Sequence, residues 1–283
     1  MRLHLLPLLW LALGGCSRED SVVSETVSAP LDTTKLAKAR TDTLGDCKTN
    51  CDAADLSIPV LSADGGWGAV TTYGGTTPAP STGGACNYGT TMAHYAAIHV
   101  SRLPGDLQGQ WNGGRICGQG VRIRARTPAG WKETYARIVD KCPDDFCGID
   151  LGGAPAGELM GTQAGRYAGQ WEFVSCAGHP ELYGGPTRLH VKEGSNAWWS
   201  LVHVRDGDMA VVSMRLAKED SPADAEDLAW ATEAENFFKV PTRVMQDSLA
   251  KFRLTATYRN RSLVQWSLQG RDFAKAGADY FSP

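Results

Sequence analysis

Two carboxylates stand on either side of a short loop bounded by cysteines, and they are the side chains best suited to chemistry. Asp140 closes an alternating strand, and Asp150 follows the loop between Cys142 and Cys147. Glycoside cleavage needs one protonated carboxyl group as acid and a second carboxylate as base or nucleophile. The spacing therefore predicts a carboxylate cleft, while aspartates that merely cap a loop would give the same pattern.

A second candidate surface comes from two adjacent aromatic residues, Trp198 and Trp199. Flat rings can stack on the apolar faces of sugars. Neighbouring residues of a strand point to opposite faces, so one ring could instead belong to the core. A bulge or the start of a strand here would let both rings face outward. Together, the predicted carboxylate cleft and the two adjacent tryptophans indicate a protein that acts on polysaccharide.

Length and composition limit the class of protein. The 283 residues suffice for two domains, and 32 glycines with only 21% charged residues favour a loop-rich β protein. The net charge is −3, and basic and acidic residues balance in both halves of the predicted folded region. No nucleic-acid partner is therefore expected. No cofactor or metal is expected either, since the sequence has no Cys-x-x-Cys pair and no histidine near the Cys142–Cys147 loop.

The first residues predict export. Arg2 precedes an apolar run, residues 3–13, which is too short to span a bilayer and is typical of a signal sequence. The run ends in Leu-Gly-Gly-Cys16, which resembles the lipobox of bacterial lipoproteins. Cys16 would then carry the lipid that anchors the protein, with the outer membrane favoured. An ordinary cleaved signal, which also predicts export, is the alternative.

Seven cysteines remain besides Cys16, an odd number for an oxidising compartment. The spacing and the expected neighbouring strands give three candidate pairs: Cys142 with Cys147, Cys47 with Cys51, and Cys86 with Cys117. Cys176 is left over.

Hydrophobic periodicity divides the chain into segments. Alternation over 121–126 and 133–139 predicts two strands of a small barrel, which also contains a helix at Ala154–Met160. Residues 205–208 hold an Asp-Gly pair that predicts a hairpin in a second, strand-rich region. The predicted segments are a signal peptide at 1–16, a flexible tether at 17–60, the barrel domain at 61–177, a linker at 178–186 and a β-sandwich at 187–283.

Six motifs, in order, resemble the bacterial expansins and the wider expansin, loosenin and barwin group. The resemblance covers the chain from about Gly65 to the C-terminus. The motifs are Val70-Thr-Thr-Tyr-Gly-Gly75, Gly84-Ala-Cys-Asn-Tyr-Gly89, Val139-Asp-Lys-Cys-Pro143, Ile149-Asp-Leu151, Trp171-Glu-Phe-Val-Ser-Cys176 and Lys192-Glu-Gly-Ser195 followed by Trp198-Trp199.

This resemblance implies a mostly β fold in which a double-psi β-barrel packs against an immunoglobulin-like β-sandwich that binds cellulose. A monomer with one continuous polysaccharide surface is expected. Thr71, Asp140 and Asp150 would be the cleft residues, with Asp150 at the position of the catalytic acid in related endoglucanases. Tyr73 and Lys192 join the two tryptophans as candidates for substrate binding.

The same resemblance implies loosening of plant-type wall polysaccharide without hydrolysis. Related endoglucanases carry their base where this chain has Gly74 and Gly75, so no carboxylate is expected there to activate water. One alternative is a lytic transglycosylase or peptidoglycan-binding lipoprotein of the rare lipoprotein A type. Another is a carbohydrate-binding adhesin with an inert barrel. A Trp-Trp surface favours a long flat glucan over peptidoglycan.

Three departures from the family pattern bear on the site. Cys142 stands where many bacterial expansins have a cleft tyrosine, and Glu235 falls near the third aromatic of the binding platform. The usual partner of Cys176 lies near Gly120, so that bridge is expected to be absent or rerouted. The sandwich has no net charge, which disfavours strong pectin binding.

Overall fold

The computed structural model describes residues 65–100, 110–143, 147–162 and 165–283. The predicted lipid site Cys16, the tether and the Cys47–Cys51 pair lie outside these ranges. Among the described residues, no helix is long and apolar enough to cross a bilayer. These residues form a closed barrel followed by two further sheets, which confirms the predicted mostly β fold.

The barrel has six strands and one α-helix, α1 (Ala154–Met160), which has the predicted bounds. The strands close in the order β1-β5-β2-β4-β3-β6, with β1 parallel to β5 and β2 parallel to β4. This crossed order is that of the expected double-psi barrel. The strands are β1 (Gly65–Thr72), β2 (His94–His99), β3 (Gly120–Thr127), β4 (Gly130–Cys142), β5 (Ile149–Gly153) and β6 (Tyr167–Val174).

Alternation along the strands fills the barrel. Val121, Ile123 and Ala125 of β3 are fully buried, whereas the arginines between them face outward. The Trp171 side chain of β6 fills the barrel interior up to position 148, where only a glycine fits. A methyl group added there would lie 2.6 Å from the Trp171 ring and 2.7 Å from a backbone oxygen.

The second region is a sandwich of a four-stranded sheet, β10-β9-β13-β14, and a five-stranded sheet, β11-β12-β8-β7-β15. A short helix, α2 (Thr242–Gln246), packs at its edge. The strands are β7 (Arg188–Val191), β8 (Leu201–Arg205), β9 (Val211–Lys218), β10 (Ser221–Asp227), β11 (Ala229–Trp230), β12 (Phe238–Lys239), β13 (Lys251–Tyr258), β14 (Leu263–Gln269) and β15 (Asp279–Phe281).

The hairpin predicted at residues 205–208 is wrong. β8 pairs with β7 and β12, while β9 pairs with β10 and β13, so the turn carries the chain from one sheet to the other. Asp206 adopts a left-handed conformation, with φ 53°. The Asp-Gly signal thus identified a tight turn correctly. It could not reveal that Val202 and Met214 face each other across a common core.

Two of the predicted disulfides are present, Cys86–Cys117 and Cys142–Cys147. The first joins two turns, and not the neighbouring strands that we expected. Cys176 is a buried free thiol. A methyl group added to Gly120 would lie 3.0 Å from Cys176 Sγ, so the usual partner position does face this sulfur and simply holds a glycine.

Candidate functional site

Four neighbouring strands bring the predicted cleft residues into one row. Thr71 of β1 pairs with Asp150 of β5, which pairs with Ala97 of β2. Ala97 in turn pairs with Asp140 of β4. Because neighbouring strands lie roughly 4.8 Å apart, the backbones of the two aspartates are about 10 Å apart. Between them lies the small, buried Ala97, so the two carboxylates share one face of the barrel wall.

Backbone groups hold Asp140 in place. Its Oδ1 accepts hydrogen bonds from the backbone N–H groups of Ala85 and Lys141, each at 2.8 Å. The segment before Ala85 can come this close only because Gly84, with φ +84°, has no side chain. A methyl group there would lie 2.7 Å from the Val139 carbonyl oxygen. Asp140 is therefore a fixed hydrogen-bond acceptor at one end of the row.

A disulfide lies beside the other end of the row. Asp150 Oδ2 is 3.9 Å from Cys142 Sγ, and Thr71 Oγ1 is 3.9 Å from Cys147 Sγ. The bridge packs on Ala97 and forms an apolar floor. Asp150 and the two sulfurs are close enough together to suit a metal ion. Both sulfurs are bonded to each other, however, so they offer no thiolate ligand.

Tyr73 adds a hydrogen-bond donor to this cleft. Burial raises the pKa of its phenol, and the nearby charges of Asp140 and Asp150 raise that pKa further. The phenol therefore stays protonated at physiological pH. Its ring meets Tyr95 edge-on, with the ring centroids 5.6 Å apart. The cleft thus presents a protonated phenol near two carboxylates, in addition to the Thr71 hydroxyl group.

Gly74 and Gly75 follow Tyr73 and are both exposed, with φ values of 69° and 96°. Left-handed backbone of this kind favours glycine. A methyl group on Gly75 would meet nothing within 4 Å. This side of the cleft is therefore open backbone at the position where the resemblance places the base of a hydrolase.

The two tryptophans lie in a turn just before β8, so the alternation of a strand does not govern them. Asn196 Oδ1 accepts hydrogen bonds from the backbone N–H groups of Trp198 at 2.8 Å and Trp199 at 3.2 Å. Thr242 donates to the Trp198 carbonyl oxygen at 3.0 Å. Trp198 is 72% exposed, and Trp199 is half-buried. The turn thus presents one prominent ring and one partly covered ring.

Side chains around Trp199 fix its ring. The indole N–H donates to Glu233 Oε1 at 3.3 Å, and the side chain packs against the buried cluster of Leu201, Ala231 and Phe237. Lys192 extends over the Phe237 ring, with its Nζ 5.6 Å from the centroid. The predicted binding residues Lys192 and Trp199 therefore share one supporting aromatic residue.

An ion pair links the cleft to this aromatic region. Lys141, the neighbour of Asp140, places its Nζ 2.8 Å from Glu235 Oε1. The backbone oxygen of Glu235 accepts a hydrogen bond from Asn87 Nδ2 at 3.0 Å. Sequence reasoning missed Lys141 and Asn87 as linking residues, although both lie inside motifs that it had singled out. Glu235, noted only as a missing aromatic, is one of the residues through which the sandwich contacts the cleft region.

The fold and these sites define a barrel–sandwich protein in which an acidic cleft on the barrel is linked to a region with an exposed tryptophan on the sandwich. No protein-family model matches the chain. Two curated relatives, Expansin-B16 and Expansin-B11 of Oryza sativa subsp. japonica, are each 28% identical to it over 168 and 167 residues. The matched part is 53% of this chain and 59% and 56% of the relatives. The chain thus spans less than two thirds of their length.

Two solved structures share the fold. The apo expansin of Clavibacter michiganensis matches with a TM-score of 0.54 and 17% identity, over 77% of this chain and 95% of its own. A mutant of that expansin in complex with cellohexaose matches with a TM-score of 0.53 at the same identity and coverage. The chain is thus similar to plant expansins over about half of its sequence, and it shares the fold of a bacterial expansin.

Proposed function

We propose that this protein loosens plant-type wall polysaccharide, cellulose or hemicellulose, without hydrolysing it. The observation that carries the proposal is the row from Thr71 through Asp150 to Asp140, which faces open backbone at Gly74 and Gly75. An inverting hydrolase needs a second carboxylate to activate water opposite its acid. Neither glycine can supply one, and Asp140, the second carboxylate of the row, has an oxygen already held by the backbone N–H groups of Ala85 and Lys141.

The cleft would act by competing for hydrogen bonds. Asp140, Asp150 and the protonated phenol of Tyr73 can bind sugar hydroxyl groups that otherwise join neighbouring chains. A charge-assisted hydrogen bond contributes about 1–3 kcal/mol. Several such bonds formed along one chain would offset part of the cohesion between chains without breaking a covalent bond.

The aromatic surface would hold the polymer near the cleft. Trp198 offers an exposed ring, and Trp199 and Lys192 lie beside it over Phe237. Expansins of rice are the curated relatives, and a similar bacterial expansin fold has been solved with cellohexaose. Both findings support a long β-glucan as the bound polymer.

We place the protein outside the cytoplasm. Structural disulfides are characteristic of oxidising compartments. The two disulfides of this protein therefore support export. The resemblance of the residues before Cys16 to a lipobox supports a membrane anchor at that cysteine. Cys16→Ser should abolish labelling by a palmitate analogue and release the protein from membranes. Label retained by that variant would refute the anchor.

A paired binding and product assay tests the function itself. The protein should be pulled down by crystalline cellulose in preference to purified peptidoglycan sacculi, and no reducing ends should accumulate. Preference for sacculi with release of soluble fragments would establish the transglycosylase alternative. Cellulose binding without any weakening of cellulose paper would leave a carbohydrate-binding adhesin.

A further inference from the structure

The side chain of a fully buried arginine in the barrel reaches the connecting segment and the first part of the sandwich. Arg137 of β4 has no exposed surface. Its guanidinium donates to the carbonyl oxygen of Leu182 in the connecting segment at 3.0 Å and to that of Gly207 in the β8–β9 turn. The rings of Tyr88 and Tyr183 lie near it, at 5.7 and 5.6 Å from their centroids. A buried charge persists only where such partners replace water.

The turn that receives Arg137 is itself built around a buried carboxylate. Asp206 is 2% exposed, and its Oδ1 lies 3.9 Å from the Arg137 guanidinium. The same oxygen accepts from the Gly184 N–H at 2.7 Å, while Oδ2 pairs with Arg188. The Asp206 carboxylate therefore contacts residues of the barrel, of the connecting segment and of the first strand of the sandwich.

The two strands connected by this contact, β4 and β8, each lead to a candidate binding site. Asp140 lies on β4 three residues beyond Arg137, roughly 10 Å along the strand. β8 ends at the Asp206 turn and begins just after Trp199. The contact between Arg137 and the Asp206 turn thus joins the strand that holds Asp140 of the cleft to the strand that follows the aromatic turn.

From this geometry we infer that Arg137 is a positioning residue. It fixes the aromatic surface relative to the cleft so that one long glycan chain engages both, and it touches no ligand itself. The inference rests on the proposed function and narrows it. The preferred ligand is an extended polysaccharide that spans the two regions, and short oligosaccharides gain nothing from the fixed orientation.

Three further contacts, each a single hydrogen bond, also support this orientation. Asn236 donates to the Cys86 carbonyl oxygen at 2.8 Å, and Arg205 donates to that of Asn87 at 2.9 Å. Asp208 accepts from the Ala177 N–H at 2.9 Å. Removing Arg137 would leave these contacts in place, so the two regions should stay folded while their relative orientation loosens.

Two conservative variants test the inference. Arg137→Lys keeps the charge but cannot donate to both carbonyl groups. Asp206→Asn keeps the left-handed turn, which asparagine tolerates, and removes the charge that faces Arg137. Arg124→Lys on the outer barrel surface and Asp220→Asn, which is 71% exposed, are the matched controls. Circular dichroism verifies folding, and Asp206→Asn alone decides the test if Arg137→Lys does not fold.

The first readout is the ratio of affinities for soluble mixed-linkage β-glucan and for cellotriose. In both variants this ratio should fall by roughly three- to tenfold, with cellotriose affinity unchanged, because only the long chain benefits from two linked sites. The controls should keep the wild-type ratio. An unchanged ratio, or equal losses for both ligands, would overturn the positioning role.

The second readout is small-angle X-ray scattering without any glycan, in which the variants should give a larger radius of gyration than wild type and controls. This arm separates the two proposals. If wild-type protein bound neither glucan, the proposed function would fail, and the scattering alone would then decide whether Arg137 fixes the orientation. Scattering identical to wild type would refute it in that case.

Discussion

The acidic cleft and the aromatic surface are built in opposite ways. The cleft depends on the register of four strands, from Thr71 of β1 to Asp140 of β4, and on a distant backbone segment around Gly84 that holds Asp140. The aromatic surface depends on one local turn, in which Asn196 fixes two consecutive tryptophans. The cleft should therefore be sensitive to changes far away in sequence. The local structure of the aromatic surface should be sensitive to its own few residues, and only its orientation relative to the cleft should depend on the barrel, through Arg137.

The largest expected effect comes from damaging the cleft at a distance. Gly84→Ala forces a left-handed residue to carry a methyl group 2.7 Å from the Val139 carbonyl oxygen. The free energy of unfolding should fall by about 2–4 kcal/mol, and Asp140 should lose its backbone donors. Chemical denaturation measures the loss. Gly83→Ala is the control, because a methyl group there meets nothing within 4 Å. Equal stability of the two variants would contradict the account of the cleft.

Removing the exposed ring of Trp198 and the half-buried ring of Trp199 should affect binding without affecting the barrel. Trp198→Ala/Trp199→Ala deletes two stacking surfaces, each contributing about 1 kcal/mol, so cellulose affinity should fall roughly ten- to thirtyfold. The effect should change little with salt, since the sandwich region has balanced charge. Depletion isotherms on cellulose measure it. Undiminished binding would reject the aromatic surface, and a collapse of the melting temperature would show that the rings serve the core.

A smaller effect is expected when the turn alone is loosened. Asn196→Ala removes the acceptor for two backbone N–H groups and leaves both tryptophans in place. Cellulose affinity should fall by about three- to fivefold, which corresponds to roughly 1 kcal/mol, while the melting temperature of the barrel stays unchanged. Asn196→Asp retains the acceptor and should bind like wild type. If Asn196→Ala bound normally, the rings would not need the turn.

The smallest effect expected is a pH dependence of the sandwich. Burial lowers the pKa of His203, and Arg205 and His190 lower it further; Arg188 and Lys192 also face it. Burial and Arg205 lower the pKa of His190 as well, against the opposing charges of Asp279 and Glu193. Both histidines are therefore neutral when folded and take up protons on unfolding.

The direction of the pH dependence of stability follows from the lowered pKa values of His190 and His203. Stability is fully present above the unfolded pKa of about 6.5 and declines as pH falls towards the lower folded values. The melting temperature should drop by a few degrees between about pH 7 and pH 5, and His203→Gln should reduce that drop. His94→Gln in the barrel serves as control. A melting temperature of the wild type that rises on acidification would contradict the assignment.

Local signals in the sequence were informative, whereas non-local contacts were not. Alternation located β3, and the Ala154–Met160 helix has its predicted bounds. The Asp-Gly turn at 206–207 was recognised, but its neighbours belong to different sheets, which only the shared core decides. The spacing of Asp140 and Asp150 predicted a cleft, yet Ala97 between them carries no signal of its role. Arg137 looked like any strand residue, because burial of a charge depends on partners 45 and 70 residues away.

The central claim is that Asp150 loosens polysaccharide without hydrolysing it, and a single paired assay on cellulose paper tests it most directly. Wild-type protein and Asp150→Asn are compared for mechanical weakening and for reducing ends released over time. Binding should be nearly equal, weakening should fall markedly in the variant, and neither protein should release sugar ends. Reducing ends that accumulate with protein and time, and that disappear in Asp150→Asn, would contradict the account and make this protein a glycoside-cleaving enzyme.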